Sequence, residues 1–191
     1  MPGSIAHSQS LREWNGARRS RLDKIEAQCV WAAGLQPPDP EVASEHLRAH
    51  ITLISAHLQG YCRDLYVEAS LKVVSRIKPA GLRLIAQSQF ATGLKLDKSN
   101  PTLDSIADDF GRFGVANFRS AVGSDPSADR HKRLLHQMNS CRNKCVHGEP
   151  SIPELTLSNI QDWRRSCDWL ASRVNAIVYD KLHAAFRTAP W

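Results

Sequence analysis

The sequence predicts an all-α protein: an antiparallel bundle built on two long helices with shorter helices beside them. Three observations predict it. Leu47, Ile51, Ile54, Leu58, Tyr61 and Leu65 follow one another at spacings of 4, 3, 4, 3 and 4, which sets them on one face of a helix. Ile160, Trp163, Cys167, Leu170, Val174, Ile177 and Lys181 repeat the pattern at 3, 4, 3, 4, 3 and 4. No stretch alternates apolar and polar residues as a half-buried strand must.

Taken in order, residues 10 to about 33 read as a first helix with Leu11, Trp14, Arg18, Leu22, Ile25 and Cys29 on its inner side. Gln36-Pro37-Pro38-Asp39-Pro40 is a stiff break, after which Asp39 caps and Pro40 opens the next helix. That helix runs to about Ile77, some 38 residues or about 55 Å, enough for the spine of a bundle and of a dimer. Pro79 ends it. A short helix around Leu82, Ile85 and Phe90 follows, then a polar loop, then a helix from Asn100-Pro101 to about Gly114 on Leu103, Ile106, Phe110 and Phe113. Residues 115–124 carry no clear pattern. Asp125-Pro126 or Ser127 opens the next helix, with Leu134, Met138, Cys141 and Cys145 as its buried stripe. Thr156 or Ser158, the latter with Gln161 as a capping box, starts the last helix, which runs to about Arg187.

A chain of 191 residues is most simply one domain, 1–191, with residues 1–9 as a flexible lead-in and 79–124 as a variable insert. Nothing near the N-terminus makes a signal-peptide core and no apolar run reaches a membrane span, so no membrane association and a cytoplasmic location are expected. Five cysteines without framework spacing read as reduced thiols in the core. A net charge of +6 and a pI near 9.3 suit a polyanionic partner.

Beside the long stripe runs a second row, His46, His50, Leu53, His57, Gly60 and Asp64. Seven-residue spacing is too wide for two ligands on one ion, and only His46 with His50 stands at chelating distance. Neither this row nor Cys141, Cys145 and His147, which lack a fourth ligand, makes a metal site, and no cofactor is expected. These histidines line a helix seam, or His50, His57 and Asp64 flank a cleft.

The chemistry concentrates in Cys141-Arg142-Asn143-Lys144-Cys145-Val146-His147-Gly148. Gly148 reads as the residue just past the last turn and Pro150 blocks continuation, so His147 caps the helix at the carbonyl end of its dipole, where positive charge is favoured. Asn143 shares a face with His147, whereas Arg142 lies about 140° around from it, so the two converge only if the end unwinds or two copies face each other. The same helix exposes Arg130, His131, Lys132, Arg133, His136, Arg142 and Lys144 against a single acid, Asp129. Such a face is commonly just solvated; it is also what a phosphate backbone wants, with Arg130, Lys132, Arg133 and Lys144 as the binding residues. Taken alone, the eight residues fit better a basic helix end whose Arg and His meet solvent or a neighbour such as Glu149 than a catalytic site.

Arg142-Asn143-x-x-x-His147-Gly148 resembles the signature of the HEPN superfamily of all-helical domains, in which Arg-polar-x-x-x-His marks the ribonucleases. His57-Leu58-Gln59-Gly60-Tyr61-Cys62-Arg63-Asp64-Leu65-Tyr66 resembles the long second helix of the RiboL-PSP-type branch, and the likeness spans roughly residues 40–187. Cys145 departs from the small or apolar residue more usual there. The resemblance implies a metal-independent endoribonuclease, a toxin or defence effector acting on RNA (tRNA or mRNA) as a homodimer with a composite site. In it Arg142 and His147 would be catalytic, with Asn143 orienting phosphate or histidine. It also implies a cognate antitoxin or defence partner. The alternative is a non-catalytic helical module of the same shape that binds nucleic acid, nucleotide or protein, or a structural subunit beside an enzyme.

Overall fold

The first helical stretch begins one residue before the sequence predicts it. Ser8 is buried: its hydroxyl accepts the Leu11 amide and its own N–H donates to Asn175 Oδ1 at 3.2 Å, capping α1 (Gln9–Glu13). The computed structural model describes residues 7–115 and 117–191. The expected flexible lead-in therefore falls mostly on residues 1–6, outside the described residues, and the chain is already anchored at Ser8. A five-residue π turn, Trp14–Arg18, joins α1 to α2 (Arg19–Ala33). It aims both of its end residues at the long helix that follows α2. Trp14 packs on Tyr61 with ring centroids 5.6 Å apart and donates Nε1–H to Asp168 at 2.9 Å.

Asp39 Oδ1 accepts the Val42 amide and Pro40 takes the first position of α3 (Pro40–Ser75), as the sequence predicts. Its 36 residues make a rod of about 54 Å. Ile51, Ile54, Leu58, Tyr61 and Leu65 are fully buried, so the spacing rule picked the inner face correctly. α3 packs against α2, α7 (Ala128–Val146) and α8 (Leu157–Phe186), and these four helices enclose one core. Directions follow from the pairs. Ser10 of α1 meets Glu68 and Cys29 of α2 meets His50, so the α1–α2 stretch runs antiparallel to α3; Lys144 meets Glu154 and His131 meets Ser166, so α7 and α8 are antiparallel too. Tyr61 donates to the Ala171 carbonyl at 2.7 Å and Arg76 reaches Thr188, which makes α8 parallel to α3. No strand occurs among the described residues, and no described helix is long and apolar enough to cross a membrane.

One detail of the stripes differs from the sequence reading, and of the two starts offered for the last helix the first is the one used. On α7 the inward leucine is Leu135, with Leu134 only half-buried, because the stripe follows Leu135, Met138 and Cys141. α8 is capped by Thr156, whose hydroxyl accepts the Asn159 amide, in place of a Ser158–Gln161 box.

Residues 79–124, of which residue 116 lies outside the described set, form α4 (Ala80–Ala91), a 3-10 turn (Lys95–Asp97), α5 (Leu103–Phe110) and α6 (Phe118–Gly123). Aromatic contact fixes them to the spine. Tyr66 lies 5.0 Å from Phe113 and 5.7 Å from Phe110, and Phe90 stacks on Phe113 at 5.2 Å. The buried Asp109 carboxylate accepts the Lys95 and Leu96 amides, each at 2.9 Å, and so holds the 3-10 turn. α5 is capped by Thr102 and Ser105 in a reciprocal box two residues past the predicted Asn100. α4 is the exception. Its Leu82 and Ile85, around which the sequence places the helix, are 58% and 60% exposed, since only Phe90 at its far end reaches the core.

Candidate functional site

α7 ends as the sequence predicts. His147 is the residue that caps it just past Val146, Gly148 takes φ +73, and the Gly148 and Glu149 amides return to the Cys145 and Lys144 carbonyls at 3.2 and 3.0 Å. Those two bonds are a complete Schellman cap, and only glycine enters that backbone region without a Cβ penalty. The turn is held from outside by a residue the sequence reading missed. Arg48 on α3 donates Nη2–H to the carbonyls of Glu149, at 2.6 Å, and Pro150, at 3.4 Å. No pattern in the sequence marks Arg48, because its role depends on two carbonyls a hundred residues away.

The His147 ring is exposed and has no hydrogen-bond or ionic partner among the described residues. Arg142 is half-buried, with Nε buried and unpartnered and Nη1 donating to Asn143 Oδ1 at 3.3 Å. The same oxygen accepts Asn100 Nδ2–H at 2.7 Å. Asn100 is the second missed residue; its sequence context read as a helix cap. The Asn143 side chain thus steadies the guanidinium, makes no hydrogen bond to the His147 ring, and keeps its own amide N–H groups unspent; the two residues meet only through the backbone, where the His147 N–H donates to the Asn143 carbonyl at 2.9 Å. The tip presents a free imidazole, a positioned guanidinium and a free amide donor.

A groove of about 1000 Å³ opens beside this tip between the first half of α3 and the end of α7, lined in part by Arg48, Leu53, Cys145, Val146 and Gly148. Its wall also carries Glu41, Glu45 and Glu149. Arg142, Asn143 and His147 do not line it. Burial pushes the Cys141 thiol up to about 12 and raises Cys145 as well, so both stay protonated as small apolar groups.

The basic face of α7 is more paired than the sequence suggests. Arg130 lies 3.7 Å from Asp162, Lys132 3.5 Å from Asp129, and Lys144 3.2 Å from Glu154, whose hydrogen bond and charge raise the Lys144 pKa. Arg133 alone of the four is exposed without a partner among the described residues. Exposed pairs of this kind are worth at most about 1 kcal/mol, so phosphate competes with them readily. His131 is occupied otherwise, stacked on Trp169 with centroids 4.6 Å apart and bonded to Ser166.

The three residues expected to flank a cleft do not. His50 is fully buried between α2 and α3, its Nδ1 3.6 Å from Cys29 Sγ and its Nε2 without a partner, and burial lowers its pKa to about 4. His57 and Asp64 serve Arg18, which crosses α3 from the π turn. Its guanidinium bonds Asp64 at 2.5 Å and lies 3.5 Å from His57 Nδ1. Gly60 makes the crossing possible, since a Cβ there would stand 2.7 Å from Arg18 Nη1. Burial, then the charges of Arg18 and Arg21, hold His57 below its usual pKa. The row of His57, Gly60 and Asp64 is a seat for Arg18, and none of the three contacts the tip. Among the described residues no group of three His, Cys, Asp or Glu side chains is placed to hold a metal.

No curated protein and no solved structure matches the chain. A family model described as RiboL-PSP-HEPN matches residues 18–179, from Arg18 through the long α3 and the Arg142–His147 tip to most of α8. The chain therefore belongs to the RiboL-PSP-HEPN family.

Proposed function

We propose that this protein is a metal-independent endoribonuclease that works as a homodimer, in the role of a toxin or defence effector in the cytoplasm. The observation that carries the proposal is the unpaired, exposed His147 at the same helix end as an arginine already steadied by Asn143 and Asn100. RNA transesterification asks for a base to take the 2′-OH proton, an acid for the leaving 5′-oxygen and positive charge for the phosphorane. One tip supplies one imidazole and one guanidinium. Two tips across a two-fold axis supply a base, an acid and two clamps, and the groove beside Val146 and Leu53 offers apolar surface for the second copy. In this reading His147 moves the proton, Arg142 stabilises the phosphorane, Asn143 holds Arg142, and Arg130, Lys132, Arg133 and Lys144 attract the RNA backbone. The product carries a 2′,3′-cyclic phosphate.

Incubation with transfer RNA in EDTA tests it. Arg142→Ala and His147→Ala should each remain folded dimers and lose cleavage by at least a hundredfold; undiminished cutting by both would refute the assignment.

A second reading has one observation in its favour. Glu41, Glu45 and Glu149 line the groove beside the tip, and a wall of carboxylates suits a protein surface better than a phosphate chain. A non-catalytic HEPN module binding a partner protein, nucleotide or nucleic acid would use that groove and leave RNA intact.

A further inference from the structure

Along α7, Lys132, His136, Asn139, Asn143 and His147 follow one another at spacings of 4, 3, 4 and 4, a polar stripe that ends on the tip. They fall within about 80° of one another around the helix, beside the buried face of Leu135, Met138 and Cys141. A cleft of about 430 Å³ opens onto this stripe, with Lys132, His136 and Asn139 on one side and Thr102, Leu103 and Asp104, at the start of α5, on the other. The hydrogen bond from Asn100 to Asn143 joins the same two segments one turn nearer the tip. Cleft and tip are therefore parts of one surface, about 6 Å apart along the helix axis from Asn139 to Asn143.

Asn139 is only 7% exposed, lines the cleft, and is half satisfied. Its Nδ2–H donates to the Leu135 carbonyl at 3.1 Å, while its Oδ1 is buried with no partner among the described residues. A buried acceptor left unpaired is costly, and an apolar side chain of the same size would carry no such cost. His136, next on the stripe, is exposed and without a partner among the described residues, so its ring is free to stack. Leu103 and Leu135 give the cleft apolar surface. Apolar walls, an imidazole and a lone acceptor suit a flat heteroaromatic ring with N–H groups on its edge. Charge keeps a phosphate out. The cleft's two charged residues oppose each other and are each paired, Asp104 with Arg119 at 2.8 Å and Lys132 with Asp129 at 3.5 Å, so an anion finds no net attraction inside.

We infer that this cleft takes an unpaired nucleobase of the RNA, roughly one or two nucleotides from the phosphodiester held at the tip. The base donates an N–H to the Asn139 amide oxygen and lays its ring against His136, and its phosphates stay outside with Arg142 and His147. The inference rests on the ribonuclease reading and adds to it a source of sequence preference.

Fluorescence anisotropy with short oligomers of adenosine, of cytidine, of uridine and of alternating guanosine and uridine is the test, each 2′-O-methylated so that no 2′-OH can attack. The full chain should bind the best of the four at least tenfold more tightly than the worst. Asn139→Leu should shrink that ratio below about threefold and keep the melting temperature at or above that of the natural protein, because the orphan acceptor is gone. His136→Ala, at an exposed position, should shrink the ratio as well, and it decides the matter should Asn139→Leu fail to fold. No binding of any oligomer, or a ratio below about threefold in the natural protein, would overturn the inference. So would a ratio unmoved by both variants, which assigns the Asn139 oxygen to a buried water. Cleavage of natural RNA separates this inference from the reading beneath it. Base-selective binding that depends on Asn139, without cleavage, defeats the ribonuclease proposal alone; cleavage with the same sites in Asn139→Leu and His136→Ala as in the natural protein defeats the inference alone.

Discussion

Gly148 shows how a single residue sets the chemistry at the tip. Its φ of +73 turns the chain so that the Gly148 and Glu149 amides close the cap and His147 stays outside it. Nothing crowds the missing Cβ, so the cost of a side chain there is backbone strain alone. Gly148→Ala should lose about 1 kcal/mol and Gly148→Asn less, because asparagine tolerates the left-handed region better; thermal denaturation of the two variants measures the difference. Gly60 and Gly16 make a second contrast. Both sit in helical turns, where Ala normally gains about 0.5–1 kcal/mol over Gly. Gly16 has nothing within 4 Å of an added Cβ and should show that gain, whereas at Gly60 the methyl displaces the Arg18 guanidinium from Asp64 and the gain should vanish. A melting temperature for Gly60→Ala above that for Gly16→Ala would contradict this account of Arg18. The glycine was visible in the sequence; the arginine it accommodates was not, because the pairing joins residues in two different helices.

Among the elements, the α2–α3–α8 seam shows what a buried polar row does. Arg164 on α8 is nearly buried and reaches Asp23 and, at 2.7 Å, Glu26, which also accepts Gln161. His50 sits in the same seam without a partner for Nε2. Its pKa falls from the usual 6.5 to about 4, chiefly through burial, so between those values the unfolded chain binds a proton that the folded one refuses. The contribution is fully present above about pH 6.5 and is lost as the pH falls toward 4, on the order of 3 kcal/mol in all. Urea titrations at pH 7 and pH 4.5 should show that fall, and His50→Gln should flatten its histidine part; an unchanged slope in the variant would place the titrating group elsewhere. The sequence offered His46, His50, His57 and Asp64 as one row, and the fold sends them to different neighbours. Helical periodicity locates a face, but which helix covers that face is decided by packing. The same limit holds for α4, whose Leu82 and Ile85 mark a helix in the sequence and lie on the surface in the fold.

For the molecule as a whole, the long periodic stripes and the proline and glycine breaks made the all-α class and the order of helices legible, since both are set by residues close in sequence. The tip was legible for the same reason: Arg142, Asn143, His147 and Gly148 lie within seven residues. Its supports, Arg48 and Asn100, come from distant parts of the chain and left no local mark. The basic surface of α7 was overread, because the acids that answer it, Asp162 and Glu154, stand on or just before α8. What the chain does with the tip turns on one chemical question, whether the neighbouring 2′-OH attacks the phosphodiester. The most direct measurement maps the ends of an RNA cut by the protein in EDTA and repeats the reaction with 2′-deoxyribose at the mapped nucleotide. A 2′,3′-cyclic phosphate on the natural RNA, no product from the deoxy-substituted one and no product with His147→Ala is the expected result. Ends bearing a 3′-hydroxyl, or equal cutting of the deoxy-substituted RNA, would contradict it.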